Sequence, residues 1–153
     1  MSRLRSKFQE IKESKKKALI AFISSCDPDF ESSQKILNLL PDCGVDIIEL
    51  GIPFSDPMAD GPTIQKSSMR SIQAGFNMEK AFKLVKNFRK KNISTPIIFM
   101  GYFNSFFQFG LKNFFLKCSK FGIDGLIIVD LPPEEDNLVM QYINKKKIDL
   151  IKL

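Results

Sequence analysis

The chain contains no histidine in its 153 residues. That absence removes Ser-His-Asp and Cys-His nucleophile arrangements, histidine-ligated zinc and imidazole acid–base chemistry. Any catalysis falls to carboxylates, lysines, tyrosines or cysteines. Cysteine is scarce too: Cys26, Cys43 and Cys118 are odd in number, widely spaced and form no C-x-x-C pair. Neither a disulfide framework nor a thiolate metal site is expected, and a reducing, cytoplasmic compartment fits best. Long apolar runs are also missing. The opening MSRLRSKFQEIKESKKK is too charged for a signal peptide, and the first hydrophobic run, Ala18–Ile23, is far too short to cross a bilayer. The expectation is a protein with no membrane partner. No G-x-G-x-x-G or Walker sequence occurs, so the common nucleotide phosphate loops are excluded.

What is present is ordinary globular composition, 44% hydrophobic and 26% charged, in a length suited to one domain. The net charge of +6 is concentrated in residues 1–20, where seven Lys or Arg stand against two Glu. Leu4, Phe8 and Ile11 fall at helical spacing there, which predicts a helix over residues 3–16 with a solvated lysine face. A basic binding module attached to RNA through Arg3, Arg5 and Lys15 to Lys17 is the alternative. With no RNA-binding aromatic signature, no nucleic-acid partner is expected.

Beyond that helix, short β-rich runs alternate with longer amphipathic ones, the pattern of repeated strand–helix units. Ala18 to Ile23, Val45 to Leu50, Pro96 to Met100 and Gly125 to Val129 read as strands, and Ile148 to Leu153 as the start of a fifth. Ser32 to Leu40, Thr63 to Ser71, Met78 to Phe88, Leu111 to Phe121 and Glu134 to Asn144 read as helices. Gly51 to Pro62 is too rich in Pro, Gly and Asp for a regular element, and Tyr102 to Phe107 reads as an aromatic loop. The third and fourth strands are apolar throughout, as in a parallel sheet that is covered on both faces or closed into a barrel. A closed (β/α)8 barrel needs about 250 residues, so on that reading the chain is one partial-barrel domain truncated after the start of its fifth strand.

In either α/β architecture, ligands bind at the carboxyl ends of the strands. Glu49, Asp60, Tyr102, Asn104 and Asp130 lie there. Glu49 ends an apolar run whose burial disfavours its ionised form and raises its pKa toward a useful acid–base value. Asp60 lies in a loop stiffened by Pro53, Pro57 and Pro62. Two carboxylates in unlike surroundings can divide the work, one exchanging protons and one staying ionised. Lys152 is a candidate Schiff-base lysine for an aldolase reading. No metal-ligand pattern is found; a calcium loop starting at Asp56 fails at its third position, Met58.

The run from Glu49 to Gln65, ELGIPFSDPMADGPTIQ, closely resembles the signature of the tryptophan synthase α chain family over seventeen consecutive residues. Phe22 to Pro28, Met100 to Asn104 and Gly122 to Glu135 resemble other family segments in the same order. Cys26, Ser105 and Val129 depart from residues common in that family, and none of them removes a catalytic group. The resemblance implies a (β/α)8 TIM barrel of which this chain covers about three-fifths. It implies a lyase that cleaves indole-3-glycerol phosphate to indole and glyceraldehyde 3-phosphate, with Glu49 as acid–base carboxylate and Asp60 as its partner. Phe22, Met100 and Tyr102 would wall the indole pocket. It implies no cofactor on this chain and a pyridoxal-phosphate-dependent β chain as partner in an αββα assembly, with Pro53, Asp56 and Pro57 at the contact.

Overall fold

Runs of three to five largely apolar residues form the strands β1 (Ile20–Ser24), β2 (Ile47–Gly51), β3 (Ile97–Gly101), β4 (Gly125–Ile128) and β5 (Asp149–Ile151) in the computed structural model, which describes residues 2–135, 137–143 and 148–153. The strands pair in parallel in chain order, β1-β2-β3-β4-β5, with none skipped. That order suits a barrel wall, whereas a doubly wound sheet reverses at a switch point. The helices are α1 (Arg3–Glu13), α2 (Phe30–Leu39), α3 (Pro62–Gln73), α4 (Met78–Arg89), α5 (Phe103–Phe109), α6 (Leu111–Phe121) and α7 (Asn137–Ile143).

Local chemistry sets most boundaries. The Asp29 carboxylate accepts the Ser32 N–H at 2.7 Å and starts α2 two residues before the spacing alone predicts. Asn77 caps α4 in the same way at 3.0 Å. Pro62 opens α3, where its missing N–H costs nothing, and Gly122 ends α6 in the left-handed conformation.

Strand alternation gives the sheet two faces. Ile48, Leu50, Ile97, Phe99, Leu126 and Ile128 pack outward, in one core with Leu37 of α2, Phe82, Val85 and Phe88 of α4, and Phe114 and Cys118 of α6. Ile47, Ile98 and Ile127 point the other way and share a smaller cluster with Leu4 of α1, flanked by Met100, Val129 and Ile151. The outer face carries the main core, and the inner face carries the site.

Beyond shifts of one or two residues at element ends, three elements depart further from the sequence expectation. The first is α1, which stops at Glu13 instead of running to residue 16, because Ser14 caps it and Lys15 turns to φ +54°. Of its apolar stripe only Leu4 is buried, Phe8 remaining 47% exposed. Arg3 and Arg5 pair with Asp124 and Asp149, Arg3 partly buried and Arg5 still largely exposed. The second is the expected aromatic loop, which is the helix α5: Asp130 Oδ1 accepts the Phe103 N–H at 2.6 Å, and Phe106 is fully buried. The third is the helix expected from Glu134 to Asn144. It is a 3-10 turn over Pro133–Glu135 followed by α7, with Asp136 and Asn144 outside the described residues.

Candidate active site

Glu49 occupies the middle of β2, with Phe22 of β1 and Ile98 of β3 as its register partners. Gly51, two residues on, lies on the same inner face. Apolar flanks leave Glu49 half-buried, and that burial pushes its carboxyl pKa upward. Among the described residues its carboxyl group has no hydrogen-bond or ion-pair partner, and burial is the one cause of the shift. A carboxyl group held in this way is poised to exchange a proton.

The loop from residues 52 to 61 folds over the ends of β2 and β3. At its start the Ile52 N–H donates to the Met100 carbonyl at 2.7 Å, and Pro53 is buried. Further on, the Met58 N–H donates to the Asp56 carbonyl and the Asp60 N–H to the Pro57 carbonyl. The Ala59 N–H donates to the Tyr102 hydroxyl at 2.9 Å, and the Phe54 and Tyr102 rings lie 5.2 Å apart. Asp60 is half-buried. Burial raises its pKa and the Tyr102 hydroxyl opposes the rise.

Phe22, Gly51, Asp60, Met100, Tyr102 and Val129 help to line a cavity of about 20 Å³ beneath this loop, room for roughly one water molecule. The Phe22 ring closes it: a Cβ on Gly51 would lie 2.5 Å from Phe22 Cζ. A bicyclic aromatic ring therefore enters only if Phe22 or the loop gives way. Four of the sequence candidates, Phe22, Asp60, Met100 and Tyr102, meet on this wall. Glu49 sits beside Phe22 on the same sheet face, one step closer to the strand start.

The remaining candidates separate by burial. Asp56 is exposed and Pro57 partly so, while Pro53 packs into the chain itself, so its side chain offers little surface for a partner. Asn104 is exposed on α5, and Asp130 serves as that helix's cap. Lys152 is exposed and follows Ile151, which faces inward, so alternation turns it away from Glu49. That placement disfavours the Schiff-base reading, which needs a desolvated lysine at the reacting carbon. Gly51 and Val129 were missed as site residues. Their signal was inward alternation from Glu49 and from Ile127. Among the described residues no cluster of His, Cys, Asp or Glu could hold a metal ion, and no helix is long and apolar enough to cross a membrane.

Known proteins identify the family and the fold. Residues 8–153 match the family described as tryptophan synthase alpha chain. The tryptophan synthase alpha chain of Granulibacter bethesdensis is 45% identical over 153 residues, all of this chain and 55% of that protein. Among solved structures, the alpha chain from Legionella pneumophila superposes with a TM-score of 0.94 at 36% identity, covering 99% of this chain and 56% of that one. A chain of the tryptophan synthase α2β2 complex from Pyrococcus furiosus gives 0.83 at 39% identity, covering 88% and 54%. The chain thus spans a little over half the length of the relatives it matches. Its five parallel strands form part of a (β/α)8 barrel wall. With the signature loop, the strand order and these matches in agreement, the chain belongs to the tryptophan synthase alpha chain family.

Proposed function

We propose that this chain carries the catalytic carboxylates of a lyase that cleaves indole-3-glycerol phosphate, by a retro-aldol reaction, to indole and glyceraldehyde 3-phosphate in tryptophan biosynthesis. One observation carries the reading: Asp60 lines a small cavity over the inner sheet face, Glu49 lies on that face as the register partner of the cavity-lining Phe22, and burial raises the pKa of both carboxyl groups. Breaking the bond between indole C3 and the side-chain carbon requires a proton at C3 and removal of the proton from the adjacent hydroxyl. The O–H electrons become the new C=O bond, and the C–C electrons return to the ring. One proton is gained and one is lost, so carboxylates suffice and no cofactor is needed on this chain.

Glu49 performs the proton transfers, and Asp60 stabilises the positive charge that develops at the indole N–H. Phe22, Met100 and Tyr102 give the flat ring apolar contact. The partner is a pyridoxal-phosphate-dependent β chain, met through the exposed Asp56 and Met58 and the partly exposed Pro57 at the loop tip; the Pyrococcus furiosus relative, solved as an α2β2 complex, supports that choice. The working compartment is the cytoplasm. Residues 1–153 form a single partial-barrel domain that is inactive alone, because the loops that hold phosphate in such barrels follow later strands.

The test uses residues 1–153 completed to the length of the relatives. Glu49→Gln is expected to retain binding of indole-3-glycerol phosphate and to cleave it at least about a hundredfold more slowly. Cleavage at the parent rate refutes the proton-transfer role.

A further inference from the structure

Tyr102 immediately follows the last residue of β3 and is 2% exposed. Its ring meets Phe54 at 5.2 Å near the start of the 52–61 loop. Its hydroxyl accepts the Ala59 N–H at 2.9 Å near the end of that loop. A phenol has one proton to donate. With Ala59 occupying an acceptor site, that proton stays available to the Asp60 carboxylate, one residue on from Ala59 and lining the same cavity as Tyr102; Tyr102 opposes the effect of burial on Asp60. The other hydrogen bonds between Ser55 and Asp60 are Ser55 to Asp56, Met58 to Asp56 and Asp60 to Pro57 within the loop, and one from Gln65 Nε2 of α3 to the Asp60 carbonyl at 2.8 Å. Tyr102 thus ties the loop at Ala59 to the end of β3, while Gln65 ties the Asp60 backbone to α3.

We propose that Tyr102 is a positioning residue whose hydroxyl straps the loop to the end of β3 and aims the Asp60 carboxylate into the cavity. The role goes beyond walling a pocket, since a phenylalanine would supply the wall equally well. The catalytic part rests on the lyase reading above, and the strap itself does not.

Two measurements on the chain as it stands address the strap. In the first, hydrogen–deuterium exchange at low micromolar concentration compares the chain with Tyr102→Phe, which keeps the ring and removes the hydroxyl. The peptide covering residues 54–60 is expected to exchange about fivefold faster, the consequence of one lost hydrogen bond, while β3 and α4 keep their protection. Unchanged uptake in the loop overturns the proposal.

The second measurement does not depend on that variant. The chain has two tyrosines and no tryptophan, so Tyr142→Phe leaves Tyr102 as the one phenol whose ionisation a near-ultraviolet absorbance titration reads. Burial, Asp60 and Asp130 push the Tyr102 ionisation above the ordinary tyrosine value, while the Ala59 N–H opposes them. Asp60→Asn in this background must move the titration downward. A titration that does not move shows that the two groups are uncoupled and overturns the proposal. Neither readout requires turnover, so they remain informative if Glu49→Gln refutes the lyase. In the completed enzyme, Tyr102→Phe is expected to lower kcat with KM little changed and to add nothing to Asp60→Asn. Fully additive losses would overturn the positioning role.

Discussion

Glu49 is a carboxyl group in the middle of a strand, between a phenylalanine and an isoleucine, and its pKa rises for one reason, loss of water. A raised native pKa means that the folded chain holds the proton to higher pH than the unfolded chain does. The associated stability is present below the unfolded value and is lost as pH rises through the folded one. Asp60 shifts in the same direction. Glu49→Gln is therefore expected to raise the urea midpoint at neutral pH, with the gain vanishing under mildly acidic conditions. A lower midpoint at neutral pH would mean that a partner holds the ionised form. Glu49 and Asp60 were legible as candidates because a seventeen-residue signature holds both, although Glu49 lies in mid-strand and not at the strand end the sequence suggests. The ties of Tyr102 to Ala59 and of Asp130 to Phe103 were not, since their partners lie 43 and 27 positions away.

At the scale of elements, periodicity worked where one face is buried. The spacing of Ala81, Leu84, Val85 and Phe88 predicts a helix over Met78 to Phe88, and α4 runs Met78–Arg89 with all four buried. It failed at α5, where seven residues rich in Phe, Asn and Ser carry little helix signal. That helix exists because a distant aspartate caps it and Phe106 fills the outer core. Gly110 then separates α5 from α6 at φ +88°, its N–H donating to the Phe107 carbonyl and its carbonyl accepting the Phe114 N–H. A Cβ built there meets no atom within 4 Å, so Gly110→Ala reports backbone strain alone. The expected loss is about 1–2 kcal/mol in urea unfolding. No loss would mean that α5 and α6 readjust to a negative φ at the junction.

For the molecule as a whole, α1 is fastened at the end of the strands opposite the site. Arg3 donates to Asp124 at 2.7 Å and to the Ile93 carbonyl at 2.6 Å, and Ser2 and Arg5 reach Asp149. Asp124, 4% exposed, also takes Arg89 at 2.8 Å and the Ile97 N–H at 2.9 Å. Burial pulls the Arg89 pKa down to about 10, with Asp124 opposing. Asp124→Ala would strand that buried guanidinium and is expected to cost about 3 kcal/mol or more. Arg3→Ala, at the exposed side of the cluster, should cost no more than about 1 kcal/mol. Urea unfolding separates the two, and equal small losses would show that the cluster carries no stability.

The order and kind of the elements follow from interactions reaching only a few residues along the chain: alternation, helical spacing, and caps such as Asp29 and Asn77. The identity of the reactive loop is likewise written in one continuous stretch. Which carboxylates stay unpaired for chemistry and which are consumed by structure is a different matter. Asp124 and Glu49 both lie next to apolar strand residues, yet one is neutralised by arginines 121 and 35 positions away and the other meets no cation among the described residues. Burial and ion pairing depend on distances through space, so folding had to bring those arginines to the foot of the sheet before the roles of the two acids could diverge.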